Sequence, residues 1–105
     1  MITGLYKQCI IQGKTYSLRL KFDDENLAKI NKLWFSCKDL NICQEMMLDD
    51  HIYSFVLSWE QTQALEPMET TFNITAELAD GTSRDLCNGI YLVVIENLNP
   101  VTQED

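Results

Sequence analysis

The fold class is decided by one stretch, Tyr16-Ser17-Leu18-Arg19-Leu20-Lys21-Phe22, in which apolar and polar side chains alternate at every position. Successive side chains of a β-strand point to opposite faces of a sheet. The alternation therefore predicts a strand with one dry face and one wet face. Residues 72–78 repeat the pattern, and the turn dipeptide Asp80-Gly81 follows them. Strands of this kind argue for a small antiparallel β-sandwich.

Other segments predict further short strands between turn signals. They are residues 5–11, 33–38, 51–59 and 90–95. Residues 42–48 fit either a strand or a helix, because their Glu-Met-Met-Leu sequence is good helix material. About seven short strands with turns about every 8–12 residues are typical of an immunoglobulin-like sandwich.

The links between these strands carry their own signals. Residues 23–26 are too acidic for a buried strand and predict a loop, and residues 27–30 fit one helical turn or a short bridge. Ser58 is followed three positions later by Gln61, which is the spacing of a capping box. We therefore expect one short helical connection that ends before Pro67 and carries the chain from one sheet to the other.

The chain of 105 residues has the length of a single domain. We expect the sandwich to span residues 1–96 and a flexible polar tail to span residues 97–105. No run approaches the roughly 20 apolar residues of a membrane helix. The first residues lack the basic and apolar segments of a signal peptide, so the protein is expected to be cytoplasmic when synthesised.

The net charge of −8 disfavours binding to nucleic acids and to anionic membranes, which recruit lysine and arginine. The charge is unevenly distributed along the chain. Residues 1–38 hold seven basic and three acidic residues (+4), whereas residues 39–105 hold one and thirteen (−12). This pattern indicates either a solvated acidic surface that aids solubility or a charge-complementary face that stacks against another subunit.

The residue types that carry chemistry do not form a catalytic, metal or cofactor motif. The four cysteines lack a Cys-x-x-Cys pair and predict free buried thiols, with disulfides as the alternative. Cys37 continues the apolar face of its strand. His51 is the only histidine, and Asp49 and Asp50 could orient it, but no nucleophile has sequence support. A turn residue is favoured over a catalytic base, and we expect neither an enzyme nor a cofactor.

Four aromatic residues are candidates for contacts with another molecule, because core-facing residues alternate with them in the predicted strands. They are Trp34, Trp59, Tyr6 and Tyr91. Trp34 is expected to face outward or to lie under a loop. Such residues serve in core packing, in contacts between subunits or as platforms for sugar rings.

Several segments carry a resemblance to a known family. Residues 12–16 (Gln-Gly-Lys-Thr-Tyr) lead into the alternating strand, and residues 35–38 (Phe-Ser-Cys-Lys) fit a strand of the second sheet. Residues 57–65 fit the linker Leu-Ser-x-Glu-Gln-Thr-x-x-Leu. Residues 72–81 and 89–94 fit the strands that follow it. The chain resembles the small immunoglobulin-like domains of bacteriophage tail and baseplate proteins, including those at the N-terminus of upper baseplate proteins.

The likeness covers most of residues 12–95 and departs at residues 67–69, where a Pro-Gly turn would be typical. It implies a non-enzymatic structural or adaptor protein of phage or prophage origin. Its partners would be other virion proteins or copies of itself, and the family supplies no catalytic residues. The alternative hypothesis is a carbohydrate-binding sandwich that recognises a surface glycan.

Overall fold

The protein was analysed as a computed structural model that describes residues 6–97. This part of the chain forms eight strands and two short helices. In chain order they are β1 Gln8–Ile11, β2 Tyr16–Lys21, α1 Asp24–Lys29, β3 Ile30–Cys37, β4 Ile42–Glu45, β5 Met47–Asp49, β6 Ile52–Leu57, α2 Trp59–Gln63, β7 Met68–Leu78 and β8 Ser83–Ile95.

The strands form two sheets packed face to face. One sheet has the strand order β1-β8-β7-β3-β4 and the other has the order β2-β6-β5. The predicted antiparallel pairing is observed for every pair in the described residues except β1 with β8, which run parallel. The predicted all-β sandwich is confirmed, and the alternating stretch that predicted it forms β2.

The centre of the core is a stack of three phenylalanine rings that spans the two sheets. The ring centroid of Phe35 on β3 lies 4.0 Å from that of Phe55 on β6 and 4.7 Å from that of Phe72 on β7. All three side chains are fully buried. Each belongs to the inward-facing set of its strand, so the period of two places them opposite one another.

Residues 42–48 do not form the single element that the sequence predicted, and the helix alternative is wrong. The segment breaks at Met46, whose side chain is buried and whose N–H donates to the Leu33 carbonyl oxygen at 2.7 Å. β4 pairs with β3, whereas β5 pairs with β6 in the other sheet. The chain therefore crosses between the sheets at Met46, and this crossing adds a strand to the predicted number.

The loop predicted for residues 23–26 is also wrong, because α1 occupies most of it. Asp23 is the N-cap, and its carboxylate accepts a hydrogen bond from the Asn26 N–H at 2.9 Å. Asp24 and Glu25 lie in the first turn and Lys29 in the last, as the helix dipole favours. The helical alternative for residues 27–30 is confirmed as far as Lys29, because α1 includes residues 27–29 and Ile30 begins β3.

The predicted helical connection itself is confirmed as α2. Ser58 and Gln61 form both hydrogen bonds of the capping box, at 3.2 Å and 2.8 Å. The buried Thr62 hydroxyl accepts a hydrogen bond from the Gly13 N–H at 3.1 Å and donates to the Lys14 carbonyl oxygen at 2.9 Å. α2 leads from β6 in one sheet to β7 in the other, and Thr62 ties it to the turn between β1 and β2.

Two further predictions concern the C-terminal tail and membrane-spanning segments. The proposed polar tail at residues 97–105 lies outside the described residues apart from Asn97. The division into a sandwich domain and a tail stays a prediction. Within residues 6–97, neither helix is long and apolar enough to span a membrane.

Candidate docking surface

An apolar strip runs along the outer face of the five-stranded sheet, on β1 and β8. The register places Cys9 opposite Val93 and Ile11 opposite Ile95, and Tyr91 continues the row along β8. Ile11, Tyr91 and Ile95 are 38%, 40% and 44% exposed. We call these five residues the β1–β8 strip. Contiguous exposed apolar side chains on a sheet face are candidates for contact with another molecule.

The sequence builds this strip because β8 is apolar on both faces. Residues 90–95 read Ile-Tyr-Leu-Val-Val-Ile. Leu92 and Val94 point into the core and are 0% and 2% exposed, so the intervening side chains must point outward. The outer face of an antiparallel sandwich is normally polar. The unbroken apolar run was therefore the signal in the sequence that could have identified Val93 and Ile95, which the sequence analysis did not single out.

Tyr91 is held in a defined orientation at one end of the strip. Its hydroxyl donates a hydrogen bond to the Glu69 carboxylate on β7, and the Lys7 Nζ lies 5.5 Å from its ring centroid. The hydrogen bond to Glu69 raises the pKa of Tyr91. The phenol therefore stays protonated at neutral pH and keeps donating to Glu69, while the ring remains exposed for contact.

Tyr6 lies beside the same end of the strip. It directly precedes Lys7 and is 77% exposed. Its carbonyl oxygen accepts a hydrogen bond from the Gln8 side-chain amide at 3.2 Å. Of the four aromatic residues singled out in the sequence, Tyr6 thus lies next in the chain to Lys7, whose Nζ lies over the Tyr91 ring.

Trp34 lies on the same outer face but away from the strip. It is half-buried on β3, opposite Thr75 of β7 and Glu45 of β4. The β7 partner of Tyr91 is Thr71, four residues from Thr75. Because a strand rises about 3.3 Å per residue, the two aromatic side chains are separated along the sheet as well as across it.

Trp59 is not on this face. It is the first residue of α2 and is half-buried. α2 packs against β1 and β6, at the end of the sandwich where the chain passes between the sheets. Trp59 is therefore separate from the other three aromatic residues.

A polar cleft of about 330 Å³ lies on the same outer face, towards the β3–β4 hairpin. Ser36, Lys38, Asn41, Thr71 and Asn73 contribute polar groups to its lining. One of the lining residues, Thr71, is the cross-strand partner of Tyr91. Hydroxyl, amide and ammonium groups around a cleft can hydrogen-bond a ligand rich in hydroxyl groups.

His51 contacts a carboxylate through each of its two ring nitrogens. Nε2 lies 2.5 Å from an Asp24 carboxylate oxygen in α1, and Nδ1 lies 3.0 Å from one of Asp50. The hydrogen bond with Asp24 is the main reason that the pKa of His51 is raised. The expected orienting neighbour Asp50 is in place, but the second partner is the distant Asp24 and not Asp49. The described residues contain no group of three or more His, Cys, Asp or Glu side chains that could hold a metal ion.

All four cysteines are free, as predicted. Cys37 is buried, which confirms its predicted place in the core. The expectation of buried thiols is wrong for Cys9 and Cys43, which are exposed. Cys87 is half-buried, and this burial raises the pKa of its thiol.

Comparison with known proteins identifies the fold. No protein-family model matches the chain, and no curated protein matches it. Among solved structures, the fibronectin(III)-like modules of CbhA from Clostridium thermocellum superimpose with a TM-score of 0.60 at 11% identity, over 90% of this chain and 44% of that one. The present chain thus spans less than half the length of that protein chain. A strand-swapped dimer of the extracellular domain of mouse leukocyte-associated immunoglobulin-like receptor 1 gives a TM-score of 0.49 at 10% identity, over 92% and 87% of the two chains.

The two-sheet topology and the CbhA likeness show an immunoglobulin/fibronectin-III-like β-sandwich, which confirms the predicted fold class. Neither of the two solved structures links the chain to phage tail or baseplate proteins. That part of the resemblance stays a prediction.

Proposed function

We propose that this protein is a non-enzymatic adaptor or structural module that binds another protein through the β1–β8 strip. The observation that carries the proposal is the outward-facing apolar row on β8, where a sandwich normally has polar residues. Burial of apolar surface contributes roughly 25 cal/mol per Å². The strip lies on paired strands, so little backbone entropy is lost when it is covered.

The same proposal places the protein in a tail or baseplate assembly of a phage or prophage, made in the cytoplasm and then built into the particle. The support is the resemblance of residues 12–16 and 57–65 to that group. A rigid sandwich with an exposed apolar face suits an assembly of repeated subunits. The engagement of both His51 nitrogens by carboxylates also favours a structural role for the only histidine of the chain over a catalytic one.

Co-purification tests this function. The protein is co-expressed with the proteins encoded beside its own gene and captured through a tag. We expect the wild type to retain at least one of them, and the double variant Ile11→Ser/Ile95→Ser to weaken that complex about tenfold or more. Leu48→Ser is the matched control, because Leu48 is 50% exposed and lies outside the strip, on β5. Equal capture by the strip variant and the wild type would refute docking through the strip.

A second candidate function, carbohydrate binding, is favoured by the polar cleft near the β3–β4 hairpin. Titration with a panel of glycans, followed by intrinsic fluorescence, tests it. Trp34 lies on the same face as the cleft, so a bound sugar is expected to change the fluorescence saturably. The variant Ser36→Ala/Lys38→Met should abolish that change. A flat titration across the panel would eliminate this function.

A further inference from the structure

The outer face of the three-stranded sheet is a second exposed surface that the proposed function does not use. Its cross-strand rows place Ser54 between Arg19 and Met47, and Ile52 between Lys21 and Asp49. Met47 and Val56 are 73% and 47% exposed. We call Arg19, Lys21, Met47, Ile52 and Val56 the basic face.

The charge of this face is opposite to that of the molecule as a whole. The chain carries a net charge of −8, yet Arg19 and Lys21 project side by side from β2. Neither makes an ion pair or a side-chain hydrogen bond to any of residues 6–97. The acidic residue of the face, Asp49, lies across Ile52 from Lys21. Two unpaired cations beside apolar side chains fit an acidic, partly apolar partner surface.

The β1–β8 strip offers such a surface. Glu69 lies on β7 directly opposite Val93, and Glu96 follows Ile95 at the end of β8. Both carboxylates are on exposed residues. Lys7 is a cation beside the strip, and its Nζ lies over the Tyr91 ring, at the end of the strip away from Ile95. The Val93–Ile95 end of the strip is therefore apolar with an acidic rim, formed by Glu69, which accepts a hydrogen bond from the Tyr91 hydroxyl, and by the exposed Glu96 just beyond the end of β8.

We propose that the partner of the strip is a second copy of this chain, docked through its basic face. This inference rests on the proposed function and names the partner of the same surface. Apolar side chains of both faces are covered together, and Arg19 and Lys21 come to face Glu69 and Glu96. Packing two basic faces would place cation against cation, and packing the strip against itself would leave Arg19 and Lys21 without carboxylates to face. Like charges brought together in an interface are unfavourable, so the head-to-tail arrangement is the one that pairs both cations with carboxylates.

The two surfaces lie on opposite sides of the sandwich, so a head-to-tail pair still offers one free strip and one free basic face. Such a heterologous contact continues into a ring or an open filament. The test uses two variants that each block one surface. Arg19→Glu/Lys21→Glu reverses the basic face and keeps the strip. Ile95→Lys places a cation in the strip and keeps the basic face.

Analytical ultracentrifugation of the whole chain at low salt, up to about 1 mM protein, measures the association. We expect the wild type to associate and each variant alone to be monomeric. An equimolar mixture of the two variants should form a 1:1 heterodimer that grows no further, because only one compatible pair of surfaces remains. Lys32→Glu/Arg84→Glu, with the same change of charge elsewhere, should associate like the wild type. Circular dichroism and melting temperature confirm that all variants fold.

Each other outcome has a defined meaning. Association retained by Arg19→Glu/Lys21→Glu would overturn the head-to-tail contact in favour of strip against strip. A wild type that is monomeric throughout would overturn self-association. If Ile11→Ser/Ile95→Ser then still lost its partner in co-purification, the proposed docking function would stand without this inference. If Ile11→Ser/Ile95→Ser kept its partner in co-purification and Ile95→Lys associated like the wild type in ultracentrifugation, both proposals would fail.

Discussion

At the residue scale, the stability of the sandwich depends most on the phenylalanine stack. Phe35 contacts the rings of both Phe55 and Phe72 and has no exposed surface. Phe35→Ala should lower the free energy of unfolding by about 3–5 kcal/mol, because it removes buried area and leaves a cavity between the sheets. Urea denaturation measures this loss. Val56→Thr, a change at a 47% exposed site, should stay within about 0.5 kcal/mol. A similar small loss for Phe35→Ala would place the core elsewhere.

His51 should make stability depend on pH in a defined direction. Its pKa is raised in the folded protein by Asp24 and Asp50. Its contribution to stability is therefore complete below the unfolded pKa of about 6.5 and is lost as the pH rises through the higher folded pKa. The stability difference between the wild type and His51→Gln should be larger near pH 5.5 than near pH 8.5, with thermal unfolding as the measurement. A difference that grows with pH would contradict the ion-paired arrangement.

At the scale of elements, Thr62 makes α2 part of the sandwich. Its hydroxyl accepts the Gly13 N–H and is itself fully buried. Thr62→Val keeps the shape but leaves that N–H without an acceptor, which should cost about 1–3 kcal/mol. Thr62→Ser keeps the hydroxyl and should retain the Gly13 contact. Hydrogen exchange at the Gly13 amide separates the two variants, and unchanged protection in Thr62→Val would refute this role.

The elements that were predictable from sequence are those whose causes are local. The alternation in β2 and the Ser58–Gln61 capping box lie entirely within their own segments. The crossing at Met46 was not predictable in this way, because it depends on the Leu33 carbonyl oxygen on another strand. The same reasoning applies to the candidate site. The two-sided apolar run of β8 was visible in the sequence, whereas its alignment with Ile11 requires the parallel pairing with β1, which no local pattern specifies.

At the scale of the whole molecule, screening of the charges by salt should stabilise the folded protein and weaken its assembly. The described residues span 47 × 25 × 22 Å, and the chain carries a net charge of −8. The Debye length is about 30 Å at 0.01 M salt and about 10 Å at 0.1 M. At low salt, therefore, carboxylates repel one another across the width of the sandwich, and at higher salt only neighbouring charges interact.

Raising NaCl from about 0.01 M to about 0.3 M should thus increase the melting temperature of the monomeric Arg19→Glu/Lys21→Glu variant, because screening relieves repulsion in the compact state. The same salt should weaken association of the wild type, because it screens the attraction between the basic face and the acidic rim of the strip. Differential scanning calorimetry of the variant and ultracentrifugation of the wild type measure the two effects. Association that strengthens with salt would show that relief of repulsion between two net charges of −8 outweighs loss of the attraction between the basic face and the acidic rim, and it would contradict an interface held mainly by those complementary charges.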